Sequence, residues 1–288
     1  MFVIIGWVVA LAGVFGGYAA AGGHLAALMQ PLEFVMIGGG AFGAFIAANN
    51  AHTLKHTLAG IASCFKGSKY TKAFYMELIG MLFELLAKAR KEGLMSLEGD
   101  VDEPEKSAIF SKYPNILAEH HLVEFITDYM RMMVGGNLNA MEIENLMDNE
   151  IETHHHEAMH PSHAVAKLAD GMPAFGIVAA VMGVVHTMES LHLPPPELGL
   201  LIAHALVGTF LGILLSYGFV APLAVILEGK ANESTKVLQT VKVILLASLN
   251  GFAPQTCAEF GRKVLYSTER PSFRELEDDI KARKSGGK

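Results

Sequence analysis

Charged residues are all but absent from four long stretches of this chain, and nothing else in the sequence limits the possible folds as strongly. Between Met1 and Leu32 there is no Asp, Glu, Lys or Arg. An α-helix needs about 20 apolar residues to cross a bilayer core of about 30 Å. Residues 2–21 meet that demand, and the lack of a basic leader and the length of the run argue against a cleaved secretory signal. Pro31 opens a second run, 32–51, rich in Gly and Ala. A third, about 171–191, lies between Asp170 and Glu189. A fourth, about 199–227, lies between Glu197 and Glu228, with His204 and Tyr217 as its only titratable groups. Backbone in lipid must satisfy its own hydrogen bonds, so all four runs are predicted to be helices.

The basic residues orient these spans. Residues 51–168 hold 11 Lys and Arg, and residues 228–288 hold the other 11 of the 22. The connectors 22–31 and 192–199 hold none, so they face outward, and both termini and the long insertion face the cytoplasm. The predicted fold class is an all-α integral membrane protein with four spans and a large helical cytoplasmic insertion between the second and third. Its segments are a first membrane hairpin (1–51), a cytoplasmic helical domain (52–168), a second hairpin (169–227) and cytoplasmic C-terminal helices (228–288). The insertion carries 17 acids against 11 bases and is expected to stand off anionic lipid.

Within it, Phe74, Leu78, Met81, Leu82 and Leu85 recur at helical spacing and end near Gly93. Residues 116–133 read as another helix stopped by Gly135-Gly136, and 139–157 as a third, mostly polar one. In the tail, 235–249 is amphipathic, with Asn250-Gly251 and Pro254 as its break. A net charge of −7 excludes a basic nucleic-acid footprint. Cys64 and Cys257, 193 positions apart, match no metal or redox spacing and read as reduced thiols.

The spans are rich in small residues four apart: Gly6/Ala10, Gly13/Gly17, Gly39/Gly43, Gly176/Ala180 and Gly208/Gly212. Such spacing lets helix backbones approach closely in lipid. No acid lies deep in a span; Glu33 is expected at the outer end of the second, Asp170 and Glu189 at the ends of the third. Ion-carrying carboxylates in membranes are costly and conspicuous, so either the chain conducts nothing or a partner helix supplies the acid. The hydroxyls of Thr187, Thr209 and Ser216 are expected to bond carbonyls of their own helices. His204 reads as an interface residue. Pro173 reads as a first-turn proline of the third span. Pro222 has an apolar continuation beyond it and so permits a kink. Glu150 to His163 contains five histidines, with His156 and His160 spaced for a metal pair; its polarity and Pro161 argue instead for a solvated connector, and no metal site is assigned. In Lys88-Ala-Arg90-Lys91, basic residues suit a helix end, with Ser96 as a cap for the next segment.

Longer motifs make the chain recognisable. They are Arg-Lys-Glu-Gly-Leu-Met-Ser-Leu-Glu at 90–98, Leu-Ala-Asp-Gly-Met-Pro-Ala-Phe-Gly-Ile-Val-Ala-Ala-Val-Met-Gly-Val-Val-His at 168–186, the run from Leu201 to Pro222, Asn-Gly-Phe-Ala-Pro at 250–254 and Glu-Arg-Pro-Ser-Phe at 269–273. Over nearly its whole length the chain resembles the MotA family, the larger stator subunits of bacterial flagellar motors, within the MotA/TolQ/ExbB proton channel proteins. The resemblance implies a multi-pass protein of the bacterial inner membrane in which five such chains surround two copies of a single-span partner, MotB, that supplies the membrane aspartate. It implies that Pro173 and Pro222 couple proton binding to cytoplasmic movement, that Thr209 lines the ion path with Ala180 and Tyr217, and that Arg90, Glu98 and, as a further candidate, Glu150 contact the rotor protein FliG. Sodium-driven relatives typically carry Thr where this chain has Ala180, which favours protons. Gly99 departs from the pattern, since relatives often have a basic residue there. No cofactor and no covalent chemistry is implied. The alternatives are a sodium-driven stator, a three-span energiser of the ExbB/TolQ type, a solute transporter, which would show inverted repeats, and a passive scaffold.

Overall fold

The computed structural model describes residues 2–136 and 139–285; Met1 and residues 286–288, at the ends of the first and last predicted segments, lie outside the described residues. Every regular element among the described residues is helical. The chain divides into two compact units, one of Met1–Gly67 and Ala158–Lys230 and the other of Ser68–Glu157 and Ala231–Lys288.

The first unit is apolar. It contains α1 (Phe2–Ala20), a 3₁₀ turn (Leu25–Leu28), α2 (Pro31–Ala48) and α3 (Ala51–Ser63). Among the described residues, four helices are long and apolar enough to cross a membrane: α1, the stretch Leu25–Ala48 that holds α2, α8 (Ala140–Glu189) and the helix that begins at Pro195. Pro31 occupies the first turn of α2, where its missing N–H costs nothing. Asn50 caps α3 by accepting from the Thr53 N–H at 2.8 Å. No residue of α1 is buried by the rest of the chain, so its apolar surface needs lipid or other helices. Three of the five small-residue pairs, Gly6/Ala10, Gly13/Gly17 and Gly39/Gly43, have glycines with open space where a side chain would stand. The other two pairs pack within the chain.

The second unit holds α4 (Lys72–Glu92), α5 (Glu98–Asp102), α6 (Pro114–Leu117), α7 (His120–Gly135), α11 (Pro254–Val264) and α12 (Phe273–Ser285), with the first part of α8 and most of α10 (Ala221–Leu249). Thr71 caps α4, and the helix ends at Gly93, whose φ of 87° favours glycine. The predicted stripe of Phe74, Leu78, Met81, Leu82 and Leu85 is buried, against Phe125, Ile126, Tyr129 and Met130 of α7 and Val241, Ile244 and Leu245 of α10. The predicted helix over 116–133 is in fact two, α6 and α7, separated at Ala118-Glu119. The break predicted after 249 is present: Gly251 has φ of 83°, and Pro254 starts α11.

The largest departure from the sequence reading is α8. One helix of 50 residues contains both Pro161 and Pro173, so Pro161 does not end the polar helix and Pro173 is not in the first turn of a helix. Proline inside a helix frees the carbonyl four residues earlier. For Pro161 that residue is Glu157, which is exposed to water. The histidine run is therefore helical, not a loose connector. Its members diverge: His154 stacks on His121 with centroids 4.5 Å apart and bonds the Ser234 hydroxyl at 3.3 Å. His155 bonds Thr235 at 3.0 Å, while His156 is exposed beside Glu152 at 3.8 Å. Among the described residues, no three metal-ligating side chains converge.

Burial, then the neighbouring His121, pushes His154 down from 6.5 to about 4. A histidine whose folded value lies below its unfolded one supports folding while neutral. That support is present above pH 6.5 and is lost as pH falls from 6.5 to about 4. The thermal midpoint of the purified full chain is expected to drop through this window, and to drop less in His154→Gln. Equal slopes in the two proteins would show that His154 does not govern the effect.

Candidate functional site

Two places bring the expected functional residues together. In the apolar unit, α8 and α9 (Pro195–Ile213) cross with their backbones in contact. A Cβ on Gly176 would lie 2.8 Å from the Gly208 carbonyl oxygen and 3.1 Å from the Gly212 Cα; one on Gly212 would lie 2.8 Å from the Met172 oxygen. Only glycine permits this approach. The same crossing gathers two of the expected ion-path residues. Thr209 Cα is 3.4 Å from the Gly176 Cβ position, and the Ala180 nitrogen is 3.2 Å from that of Gly208. Tyr217 is not among them. It is 67% exposed and lines an open apolar cleft with Phe2, Gly6, Trp7 and Pro222.

The two prolines are linked by a residue that the sequence reading assigned to another role. Pro173 has no N–H for the Ala169 carbonyl, and Ala169 is buried. The Ser216 hydroxyl donates to that carbonyl at 2.7 Å. Ser216 is 1% exposed and does not bond back to its own helix as expected; Thr187 does, to Gly183 O at 2.9 Å. Ser216 lies in a π-helical segment, Leu214–Val220, which leads directly into Pro222. Widened turns of this kind interrupt the regular ladder and are common where a helix bends. Nothing in the sequence announces the pairing of residues 169 and 216, because it depends on the register of two helices.

Glu33 lies at one end of α2, as expected, but is not turned to water. It belongs to the first turn of α2, yet its Oε2 is enclosed, and a Cβ on Gly208 would lie 2.7 Å from it. Gly208 is 13 residues into α9.

In the second unit, Arg90 and Glu98 are both exposed. Among the described residues neither has an ion-pair partner. The chain between and beyond them is held firmly. Lys88 pairs with the buried Asp100 at 2.7 Å, and the Ser107 hydroxyl donates to Asp100 at 2.6 Å. Ser107 in turn accepts from the Ile109 N–H at 3.1 Å and the Phe110 N–H at 3.3 Å. Arg131 binds Asp102 at 2.9 Å and the Val101 carbonyl at 2.6 Å. Two free charges thus project from a braced segment. Ser96 bonds back to Gly93 O at 2.7 Å and caps nothing. Gly99 has open space beside it, so its lack of a side chain removes a charge without a steric need. Glu150 differs from the other two: it is half-buried and accepts from the Tyr129 hydroxyl at 2.7 Å. Burial, then Glu150, raises the Tyr129 phenol.

Ser216→Ala is expected to leave the buried Ala169 carbonyl without a donor, at a cost of about 1–3 kcal/mol. Thermal unfolding of the detergent-solubilised chain would report it as a lowered midpoint, with Ser216→Thr closer to the parent. An unchanged midpoint would mean that the carbonyl finds another donor.

The family described as Motility protein A N-terminal matches residues 4–93, and the MotA/TolQ/ExbB proton channel family matches residues 118–240. Motility protein A of Salmonella typhimurium is 54% identical over 98% of this chain and 96% of its own length. Motility protein A of Escherichia coli K12 is 53% identical over 99% and 97%, and chemotaxis protein LafT of Vibrio parahaemolyticus 36% over 92% and 93%. The solved flagellar MotAB stator complex from Bacillus subtilis contains a chain of the same fold, with TM-score 0.73 and 25% identity over 96% of this chain and 98% of that one. C. jejuni MotAB gives 0.75 at 21% identity over 94% and 98%, a likeness of fold. On these grounds the chain belongs to the motility protein A family of MotA/TolQ/ExbB proton channel proteins.

Proposed function

We propose that this chain is the multi-span subunit of a flagellar stator, held in the bacterial cytoplasmic membrane with its charged unit and both termini inside the cell. Five copies surround two copies of a MotB-type single-span subunit, and that partner's membrane aspartate receives the transported ion. The observation that carries this reading is the hydrogen bond from Ser216 to the carbonyl freed by Pro173. It ties the interior proline of α8 to the wide turn that precedes Pro222. A change at one proline is therefore felt at the other, as a coupling device requires. Both helices also contribute residues to the charged unit.

The energies are commensurate. One charge falling through 100 mV releases about 2.3 kcal/mol, whereas a typical hydrogen bond contributes about 1 kcal/mol net. A single ion can therefore exchange one arrangement of this crossing for another. Protons are the favoured ion, because the Ala180 methyl offers no oxygen to a metal cation, and cations such as Na⁺ demand oxygen ligands. Arg90 and Glu98, free of internal partners, meet the rotor protein FliG. Glu150, engaged with Tyr129, contributes by holding its helix. The reading needs no cofactor and no covalent step.

Proteoliposomes holding this chain alone are expected to pass no protons. Adding an unplugged MotB-type partner should open flux, and Asn in place of that partner's membrane acid should close it. Flux through this chain alone, or none with the partner, would overturn the proposal. In cells, Arg90→Glu and Glu98→Lys are each expected to lower rotation under load while leaving stator assembly intact. Exposed charge contacts are worth about 1 kcal/mol or less, so each single reversal should weaken torque in part. Loss of assembly instead would assign these residues to folding.

A further inference from the structure

Glu33 is 8% exposed, and its Oε2 is buried with no hydrogen-bond partner among the described residues. The oxygen lies against the backbone of α9 at Gly208, 2.7 Å from where a Cβ on that glycine would stand, a point that the Ala179 methyl and the Ala180 nitrogen also approach, at 3.1 and 3.2 Å. It is thus one residue from Thr209, at the crossing through which the ion is taken to pass. The acids near the other span ends, Asp170, Glu189 and Glu197, are exposed. The titratable groups on the elements packed around Glu33 are His24 beside the 3₁₀ turn, His204 one helical turn from Gly208 on α9, and His186 on α8. None of them bonds to it. A carboxylate enclosed by apolar groups without a cation or donor is costly. A side chain serving packing alone would do better as a hydrocarbon, which leaves no oxygen unpaired.

We propose that Glu33 is a second proton-binding site, carried by this chain and placed ahead of the partner's acid. The carboxylate takes one proton from outside water by way of the connector 22–31, forming an O–H bond. It then gives up that same proton, past Gly208 and Thr209, to the carboxylate of the partner's membrane acid, which becomes the protonated group, and Glu33 returns to its charged form. This rests on the stator reading above and adds a station to its path.

The test uses the complex with its single-span partner in proteoliposomes. Glu33→Gln keeps the shape and removes the titration. Proton flux in this variant is expected to fall roughly tenfold or more, in keeping with the loss of one proton-transfer group. Glu33→Asp should restore part of it with an altered dependence on external pH. Infrared difference spectra taken on changing external pH should show a carboxylic-acid band in the parent that shifts in Glu33→Asp and is missing in Glu33→Gln. Equal flux and an equal pH profile in Glu33→Gln would make Glu33 a structural acid and end the proposal. If Glu33→Gln does not assemble, the parent and Glu33→Asp spectra decide: a band indifferent to external pH overturns the idea. A parent that conducts no protons while its band still responds would count against the stator reading and leave Glu33 as a proton site.

Discussion

The apolar unit depends on the hydrogen bond that Ser216 gives to the Ala169 carbonyl. Proline at 173 removes a donor from the middle of a 50-residue helix, in a setting where water is not at hand to replace it. An unpaired carbonyl there would strongly disfavour the helix as drawn. Ser216 removes the penalty by reaching across from another helix at 2.7 Å. The reach is short enough only because Gly176, Gly208 and Gly212 let the two backbones touch. Glycine, serine and proline are thus parts of one arrangement. Enlarging a glycine would lengthen the serine's bond, and losing the serine would expose the proline's defect.

The charged unit solves the opposite problem. Its interior is a conventional hydrocarbon core built on α4, α7 and α10, and its polar groups are largely paired with one another. Asp100 is satisfied by Lys88 and Ser107, and Asp102 by Arg131. Against that background the unpaired state of Arg90 and Glu98 is informative. Exposed charges have water and gain little from pairing. A braced loop that nevertheless keeps two of them apart and outward is suited to contacts made outside the chain.

Much of this is legible in residue patterns. The four apolar runs, the buried stripe from Phe74 to Leu85 and the stop at Gly251 and Pro254 obey local rules that tertiary structure does not override. Several of the features that the residue patterns miss share one physical reason. Pro173 reads as a helix boundary because the sequence shows the lost donor but not its replacement. Ser216 reads as bonding to its own helix because the Ala169 carbonyl is 47 residues away. Glu33 is an end-of-helix acid as its position in α2 says, but the sequence does not show that its oxygen is packed beside residue 208. Each concerns a polar group in an apolar place, where the partner is chosen by helix register and not by neighbours in sequence.

That same class of group is where a proton's energy can act. Apolar contacts between α8 and α9 are indifferent to charge, and the exposed acids at the span ends already have water. A proton can alter the balance only where a polar group is held away from solvent with few alternatives. The crossing offers two such groups: the carbonyl of Ala169, satisfied by one hydroxyl, and the carboxyl of Glu33, whose Oε2 has no partner among the described residues. The first is a bond that can be exchanged, because another donor would release Ser216. The second is a charge that can be switched. Their placement on helices joined through glycine contacts means that a change in either displaces backbone, not merely side chains, and displaced backbone is what two prolines downstream can turn into a bend.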